Sequence, residues 1–245
     1  MKNTHKTHNA RIAIDGPAGS GKSTIGQMLA DKLGFLYFDT GVMYRAVTLA
    51  ALLHGVDLDD EPSVTQLAER SHIEVMPAEI DDGRQATILL DGRDVTWDIR
   101  KPEVDAGVSI PSKYAKVREN MVAQQRRIAG SKRVLMVGRD IGTVVLPDAE
   151  VKIYLTASVE ERARRRHEEL LARGEHSNYD EVLAAMRRRD QIDSSRAVSP
   201  LRPANDAIVF DSTGLETPVT LGKLTKIVEE KLNTALAQTH AQSNQ

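Results

Sequence analysis

The stretch Gly16-Pro17-Ala18-Gly19-Ser20-Gly21-Lys22-Ser23-Thr24 constrains this chain more than any other. It matches the pattern G-x-x-x-x-G-K-[ST] in full, behind the β-branched run Ile12-Ala13-Ile14 and ahead of an amphipathic stretch. One setting suits such a segment: a strand enters, the backbone wraps an anion, and a helix leaves. The glycines let the backbone turn so that successive N–H groups point at one anion, and the helix N-terminus adds partial positive charge. The motif therefore predicts that residues 16–24 hold a nucleoside triphosphate. Lys22 is expected to reach the β- and γ-phosphates, and the Ser23 hydroxyl to ligate Mg²⁺. GTPases, ATPases and kinases all use such a loop, so it names the donor ligand and leaves the reaction open.

Around the loop, short apolar runs alternate with amphipathic helices. Strands are predicted at Arg11–Ile14, Phe35–Phe38, Arg133–Val137, Val151–Leu155 and Ala207–Phe210, and helices at Gly21–Leu33 and Thr40–Leu53. A last helix starts near Pro218 and buries Leu221, Leu224, Val228 and Leu232. This rhythm predicts an α/β fold, a parallel sheet covered by helices on both faces (the P-loop NTP hydrolase fold). Two segments break the rhythm. The runs His72–Met76 and Ala86–Leu90, with Asp81-Asp82-Gly83 and Asp91-Gly92 as turns, read as a small antiparallel β insert. Residues 158–200 read as two Arg-rich helices hinged at Arg173-Gly174-Glu175. With no internal repeat or long linker, residues 1–245 read as one domain, the stretch 72–112 as its insert and 158–200 as a helical lid.

Several classes are excluded early. A net charge of -2 gives no reason to expect nucleic acid or a membrane surface as partner, and the absence of Cys removes disulfide and thiol chemistry. No run approaches a membrane span, and the N-terminus has no secretory pattern, so a cytoplasmic location is expected; the chain is also expected to be a monomer. Residues 1–9 and the last nine, AQTHAQSNQ, read as tails; His5 and His8 are two isolated histidines in a polar segment, which seldom hold a metal.

The acceptor must come from elsewhere. Asp39-Thr40-Gly41-Val42-Met43-Tyr44-Arg45 follows the second strand, with the Thr40 hydroxyl placed to cap a helix and Arg45 just over a turn further on. That is either a second anion site or a capped helix with a solvated Arg. Val134–Val137 then ends in Gly138-Arg139-Asp140 at the carboxyl edge of a parallel strand, where ligands bind in open α/β sheets.

In order, IDGPAGSGKST, FDTGVMYR, GRDIGTVVLPDAEVKIYLTAS and RDQIDSSRAVSPL make the chain resemble the bacterial cytidylate kinases over nearly its whole length. The resemblance implies phosphoryl transfer from ATP, with Mg²⁺, to CMP or dCMP. It implies that Thr40 and Arg45 contact the acceptor, that Ser109 and Arg118 serve cytosine and phosphate recognition, and that Arg139 and Asp140 lie by the acceptor. Relatives often carry an acid just before that glycine; here it is Val137. A kinase for UMP or AMP, or a P-loop sensor without turnover, are the alternatives.

The Arg-rich helices carry one further signal. On the second, the apolar stripe Tyr179, Val182, Leu183 and Met186 continues at spacings of three and four into Arg189, Asp193 and Arg196. The inward face thus turns from apolar to charged without changing direction, as expected if its end closes over phosphates. The resemblance matches Arg166, Arg189, Asp193 and Arg196 to lid and substrate residues, which makes Lys22, Arg139, Arg166, Arg189 and Arg196 the candidate catalytic charges. Arg187, Arg188, His167 and His176 are expected to face solvent, and like-charge repulsion is expected to keep the lid arginines hydrated until phosphates gather them.

Overall fold

The computed structural model describes residues 10–130 and 133–243, so the expected tail at 1–9, with His5 and His8, lies outside the described residues. In chain order the elements are β1 (Arg11–Asp15), α1 (Lys22–Leu33), β2 (Leu36–Asp39), α2 (Gly41–Leu53), α3 (Glu61–Arg70), β3 (Ile73–Pro77), β4 (Ala86–Leu90), β5 (Arg93–Asp94), α4 (Pro102–Gly107) and α5 (Ala115–Ala129). Then come β6 (Val134–Gly138), β7 (Val151–Thr156), α6 (Val159–Ala172), α7 (Tyr179–Ser195), β8 (Ile208–Asp211) and α8 (Thr217–Ser243). The chain forms two compact units. The first takes the chain up to Asp39, Ile128–Ser195 and everything from Ser199 on; the second takes Thr40–Arg127 and Arg196–Val198.

The first unit holds a five-stranded parallel sheet in the order β2-β6-β1-β7-β8, flanked by helices as expected. β6 is buried at all five positions, which is why Val134–Val137 reads as an unbroken apolar run rather than an alternating one. Ile12 and Ile14 of β1 pair with Leu135 and Val137 of β6. These four join Ile25 and Leu29 of α1 and Leu224 and Val228 of α8 in one buried cluster. Each such side chain contributes roughly 1.5–3 kcal/mol on leaving water. The chain passes from β1 to β2 and β6 on one side and then crosses to β7 and β8 on the other, so the direction of winding reverses at β1. The phosphate loop leaves the sheet at that central carboxyl edge.

α8 departs from the expectation at its far end. The stretch read as a tail is helical through Ser243, since Ala237-Gln238-Thr239-His240-Ala241-Gln242 contains neither Gly nor Pro to stop a helix already running.

The second unit holds the antiparallel sheet β3-β4-β5. Asp91 and Gly92 have φ of 52° and 80°, the left-handed pair that a two-residue hairpin requires, as their sequence indicates. The Arg84 guanidinium closes the other connection by bonding Asp82 (2.7 Å) and Asp94 (2.7 Å), while Trp97 Nε1–H donates to Asp82 at 2.9 Å. The Arg84 and Trp97 bonds hold Asp82, and bonds from Thr96 and Arg84 hold Asp94, below the usual carboxylate range. No helix among the described residues is long and apolar enough to cross a membrane.

Candidate active site

In the first unit the loop after β1 approaches its surroundings too closely for side chains. A Cβ on Gly16 would lie 2.0 Å from the Leu155 carbonyl oxygen of β7. At Gly19, where φ is +72°, it would lie 3.0 Å from Met186 Cε of α7 and 3.3 Å from Arg162 Cβ of α6. The two Arg-rich helices therefore lie against the loop itself. Inside it, Ser20 Oγ is buried and has no protein partner, a polar atom placed for an oxyanion ligand.

Lys22 opens α1 and is buried; its Nζ donates to the Pro17 carbonyl at 2.7 Å. Burial pushes the ammonium well below its ordinary pKa, and the neighbouring Arg139 guanidinium, with Arg189 behind it, pushes the same way. Three predicted catalytic cations thus share one space, an arrangement that a polyanion would neutralise. Arg139 stands at the carboxyl end of β6, and its Nε–H donates to Asp193 of α7 at 2.8 Å. Asp193 is buried and Arg189 half-buried, so the stripe that passes from Met186 into charge does face inward. Arg187 and Arg188 are exposed, as predicted.

Sequence reasoning missed four groups here. Ser23 Oγ donates to Asp39 Oδ2 at 2.7 Å, so the loop's hydroxyl and a carboxylate at the end of β2 stand side by side as two hard oxygen atoms. Asp39 was legible in principle, standing just before Thr40 at a strand end. Asp15, the residue before the loop, is 4% exposed and accepts from Ile141 N–H and Gly142 N–H, both at 2.7 Å. It ties the entry of the loop to the turn that carries Arg139 and Asp140. Arg162 and Asp190 form the remaining pair: the buried Arg162 guanidinium forks onto Asp190 at 3.1 and 2.6 Å. Nothing in the run Arg162, Arg164, Arg165, Arg166 distinguishes Arg162, because all four lie on one charged helix.

Of the arginines expected to form a lid, Arg166 departs from the expectation of mutual repulsion, and its neighbours on these helices are paired in the same way. Arg164 bonds Glu161 and Glu168, Arg165 bonds Glu161, Arg166 bonds Glu169 at 3.0 Å, and Arg187 bonds Glu160. Carboxylates interleaved at helical spacing supply the counter-charge locally. His167 is half-buried with Nδ1 2.9 Å from Ser177 Oγ, not solvent-facing, whereas His176 is exposed. Val137 is buried with its Cγ1 against Gly26 of α1; it serves the core, and the carboxylate often found there in relatives has no counterpart at this position.

In the second unit Thr40 precedes α2 in helical conformation (φ -69°), and its side chain makes no capping bond. A cap needs an extended residue before the helix to aim the hydroxyl back, and Thr40 is already turned. Its hydroxyl is buried and Arg45 lies on the same helix. The Arg45 guanidinium donates to Asp105 of α4 at 2.5 Å and to the Ile99 carbonyl at 3.2 Å. Arg118 of α5 is buried, donates to the Ser112 carbonyl at 3.0 Å and lies over the Tyr44 ring at 5.2 Å. Ser109 is buried and its carbonyl accepts from Ser112 Oγ at 3.1 Å. Thr40, Arg45, Ser109 and Arg118 therefore belong to one unit. Arg196 is buried in the short Arg196–Val198 segment of that unit; Asp140, in the first unit, is also buried.

Asp15 gives a pH test. Burial raises its carboxyl from 3.8 to about 6, opposed by the Gly142 and Ile141 N–H bonds, while Asp140 raises it further and Lys22 lowers it. The folded protein holds this proton more tightly than the unfolded chain. The contribution to stability is therefore complete below about pH 4 and lost as pH rises through about 6. At 1.36 kcal/mol per pH unit it is of the order of 3 kcal/mol. Asp15→Asn removes the titration, so denaturant unfolding between pH 4.5 and 7.5 should show the variant gaining on the parent as pH rises. A difference that stays flat with pH would refute the assignment.

Comparison with known proteins covers both units. A family model described as cytidylate kinase matches residues 12–230. The cytidylate kinase of Carboxydothermus hydrogenoformans is 50% identical over 221 residues, 90% of this chain and 98% of that protein. Those of Bacillus velezensis and Bacillus subtilis are 50% and 48% identical, each over 220 residues, 90% of this chain and 96% of theirs.

Proposed function

The chain belongs to the cytidylate kinase family, and from that premise we propose that it transfers the γ-phosphoryl group of ATP to CMP or dCMP, giving ADP and CDP or dCDP. The observation that carries this is the family match over residues 12–230, which takes in the phosphate loop and the acceptor elements of the second unit together. Family membership disfavours the alternatives, a kinase for UMP or AMP and a sensor without turnover.

The loop N–H groups bind the donor phosphates, and Lys22 meets the transferring group. Arg139 and Arg189, with Arg166 and Arg196 from the lid segment 158–200, balance the charge that spreads over the phosphoryl oxygens in a loose transition state. No covalent nucleophile is required, because positioning and charge stabilisation supply the rate. Ser23 and Asp39 fit Mg²⁺: they offer two oxygen ligands 2.7 Å apart beside the loop, suited to an ion that completes its shell with phosphates and water. When bound there, the ion would neutralise phosphate charge. On the acceptor side Thr40, Arg45 and Arg118 hold the monophosphate, with Ser109, Asp140, Arg118 and Asp193 as candidate readers of the base. An incoming phosphate would compete with Asp105 for Arg45.

Cytosine carries an amino group that a carboxylate can accept from, whereas uracil presents an oxygen there. A site built on that bond leaves a buried carboxylate unpaired when uracil enters, so CMP and dCMP should exceed UMP in kcat/KM, and AMP should trail. Coupled detection of ADP across the common nucleoside monophosphates tests this; AMP as the best acceptor would overturn the reading, and no turnover with any of them would favour a sensor.

A further inference from the structure

The Arg162–Asp190 pair lies where the phosphate loop meets both Arg-rich helices, and its bonds suit a task that the lid reading does not contain. Arg162 is buried on the first turn of α6. Its Nε–H donates to the Ala157 carbonyl at 2.9 Å, fixing the guanidinium to the end of β7. One terminal nitrogen donates to the Ala18 carbonyl at 3.0 Å, and both terminal nitrogens fork onto Asp190 of α7. The Ala18 carbonyl belongs to the same peptide group as the Gly19 N–H, inside the loop whose N–H groups face the anion. A cation on the carbonyl side of a peptide draws electron density from it and makes its N–H a stronger donor. Met186 Cε and Arg162 Cβ crowd the same glycine from outside, so the peptide has little freedom to rotate away.

We propose that Arg162, aligned by Asp190, is a positioning residue for the donor triphosphate, orienting and polarising the Ala18–Gly19 peptide so that the loop binds ATP. Asp190 makes the device conditional on α7. The forked carboxylate holds the guanidinium that donates to the Ala18 carbonyl, so the seating of α7 and the geometry of the loop change together. Arg162 bonds the loop carbonyl, Ala157 and Asp190, and its effect is transmitted through the backbone. The inference rests on the loop being the donor site, as the proposed function has it.

The test uses the full chain and the variants Arg162→Lys, Asp190→Asn and the double variant, with Arg164→Ala as a control on the exposed face of α6. Lysine keeps a cation but cannot bond Ala157, Ala18 and Asp190 at once; asparagine keeps the shape and loses the charge. Equilibrium titration with ATP alone reads the donor site directly, and steady-state kinetics separate KM for ATP from KM for CMP. Losing one charge-assisted bond to the loop should weaken ATP binding about tenfold in Arg162→Lys. Asp190→Asn should weaken it several-fold, and the double variant no more than the worse single, as expected of residues acting as one unit. KM for CMP should stay within about twofold and the Arg164→Ala control should match the parent. Addition of the two single effects, parallel rises in both KM values, or unchanged ATP affinity in a folded variant would each overturn the proposal. Should Arg162→Lys fail to fold, Asp190→Asn alone decides by the same ATP titration. Because that titration needs no acceptor, a parent protein that fails to phosphorylate CMP would count against the proposed function without touching this result.

Discussion

Replacing Lys22 with alanine should lower kcat by more than about a hundredfold while leaving the fold intact. The expectation comes from where the ammonium sits. It is buried, anchored to the Pro17 carbonyl, and held with the Arg139 and Arg189 guanidinium groups close enough to depress its pKa. A cation is costly in such a place until phosphates arrive, so its stabilising effect is concentrated on the bound donor. Removing it also removes repulsion from the resting protein, and the melting temperature should therefore hold or rise. Lys22→Arg should not restore turnover, because a planar fork does not fit a site shaped for a compact ammonium. Steady-state rates with CMP, beside circular dichroism and thermal melting, check all three statements. Near-parental turnover in folded Lys22→Ala would refute the kinase mechanism.

The second large effect is expected at Arg139. Its guanidinium projects from the carboxyl end of β6 and is steered by Asp193 at 2.8 Å, so it is aimed before substrate arrives. Arg139→Ala should cut kcat by about a hundredfold and shift KM far less, because charge stabilisation is realised as the phosphoryl group transfers. Arg139→Lys, which keeps charge and loses the planar donor to Asp193, should recover only part of the loss. Arg188→Ala, on the exposed face of α7, should leave both parameters within about twofold. Equal losses for Arg139 and Arg188 would show that bulk positive charge matters and that the aimed guanidinium does not.

The features legible in the amino-acid order are local. The phosphate loop between a strand and a helix, the alternation of strand and helix, the Asp91-Gly92 hairpin and the inward stripe of α7 each depend on residues a few positions apart. Periods of 2 and 3.6 and the conformational freedom of glycine encode such features directly. Pairing between distant residues, by contrast, was set by the fold as a whole. Asp15 meets the Ile141 and Gly142 amides across 126 and 127 positions, and Arg162 reaches Ala18 across 144. Of four arginines on one charged helix, nothing in the residue pattern marks Arg162 as the one that turns to the phosphate loop while Arg164 stays with Glu161 and Glu168. Thr40 shows the same limit in reverse: its residue type predicts a cap, yet the chain enters α2 already helical and the hydroxyl makes no capping bond. The physical reason is that a hydrogen bond or ion pair is set by angle and distance to a particular acceptor. Those become defined only when the order β2-β6-β1-β7-β8 brings the carboxyl ends of distant strands side by side.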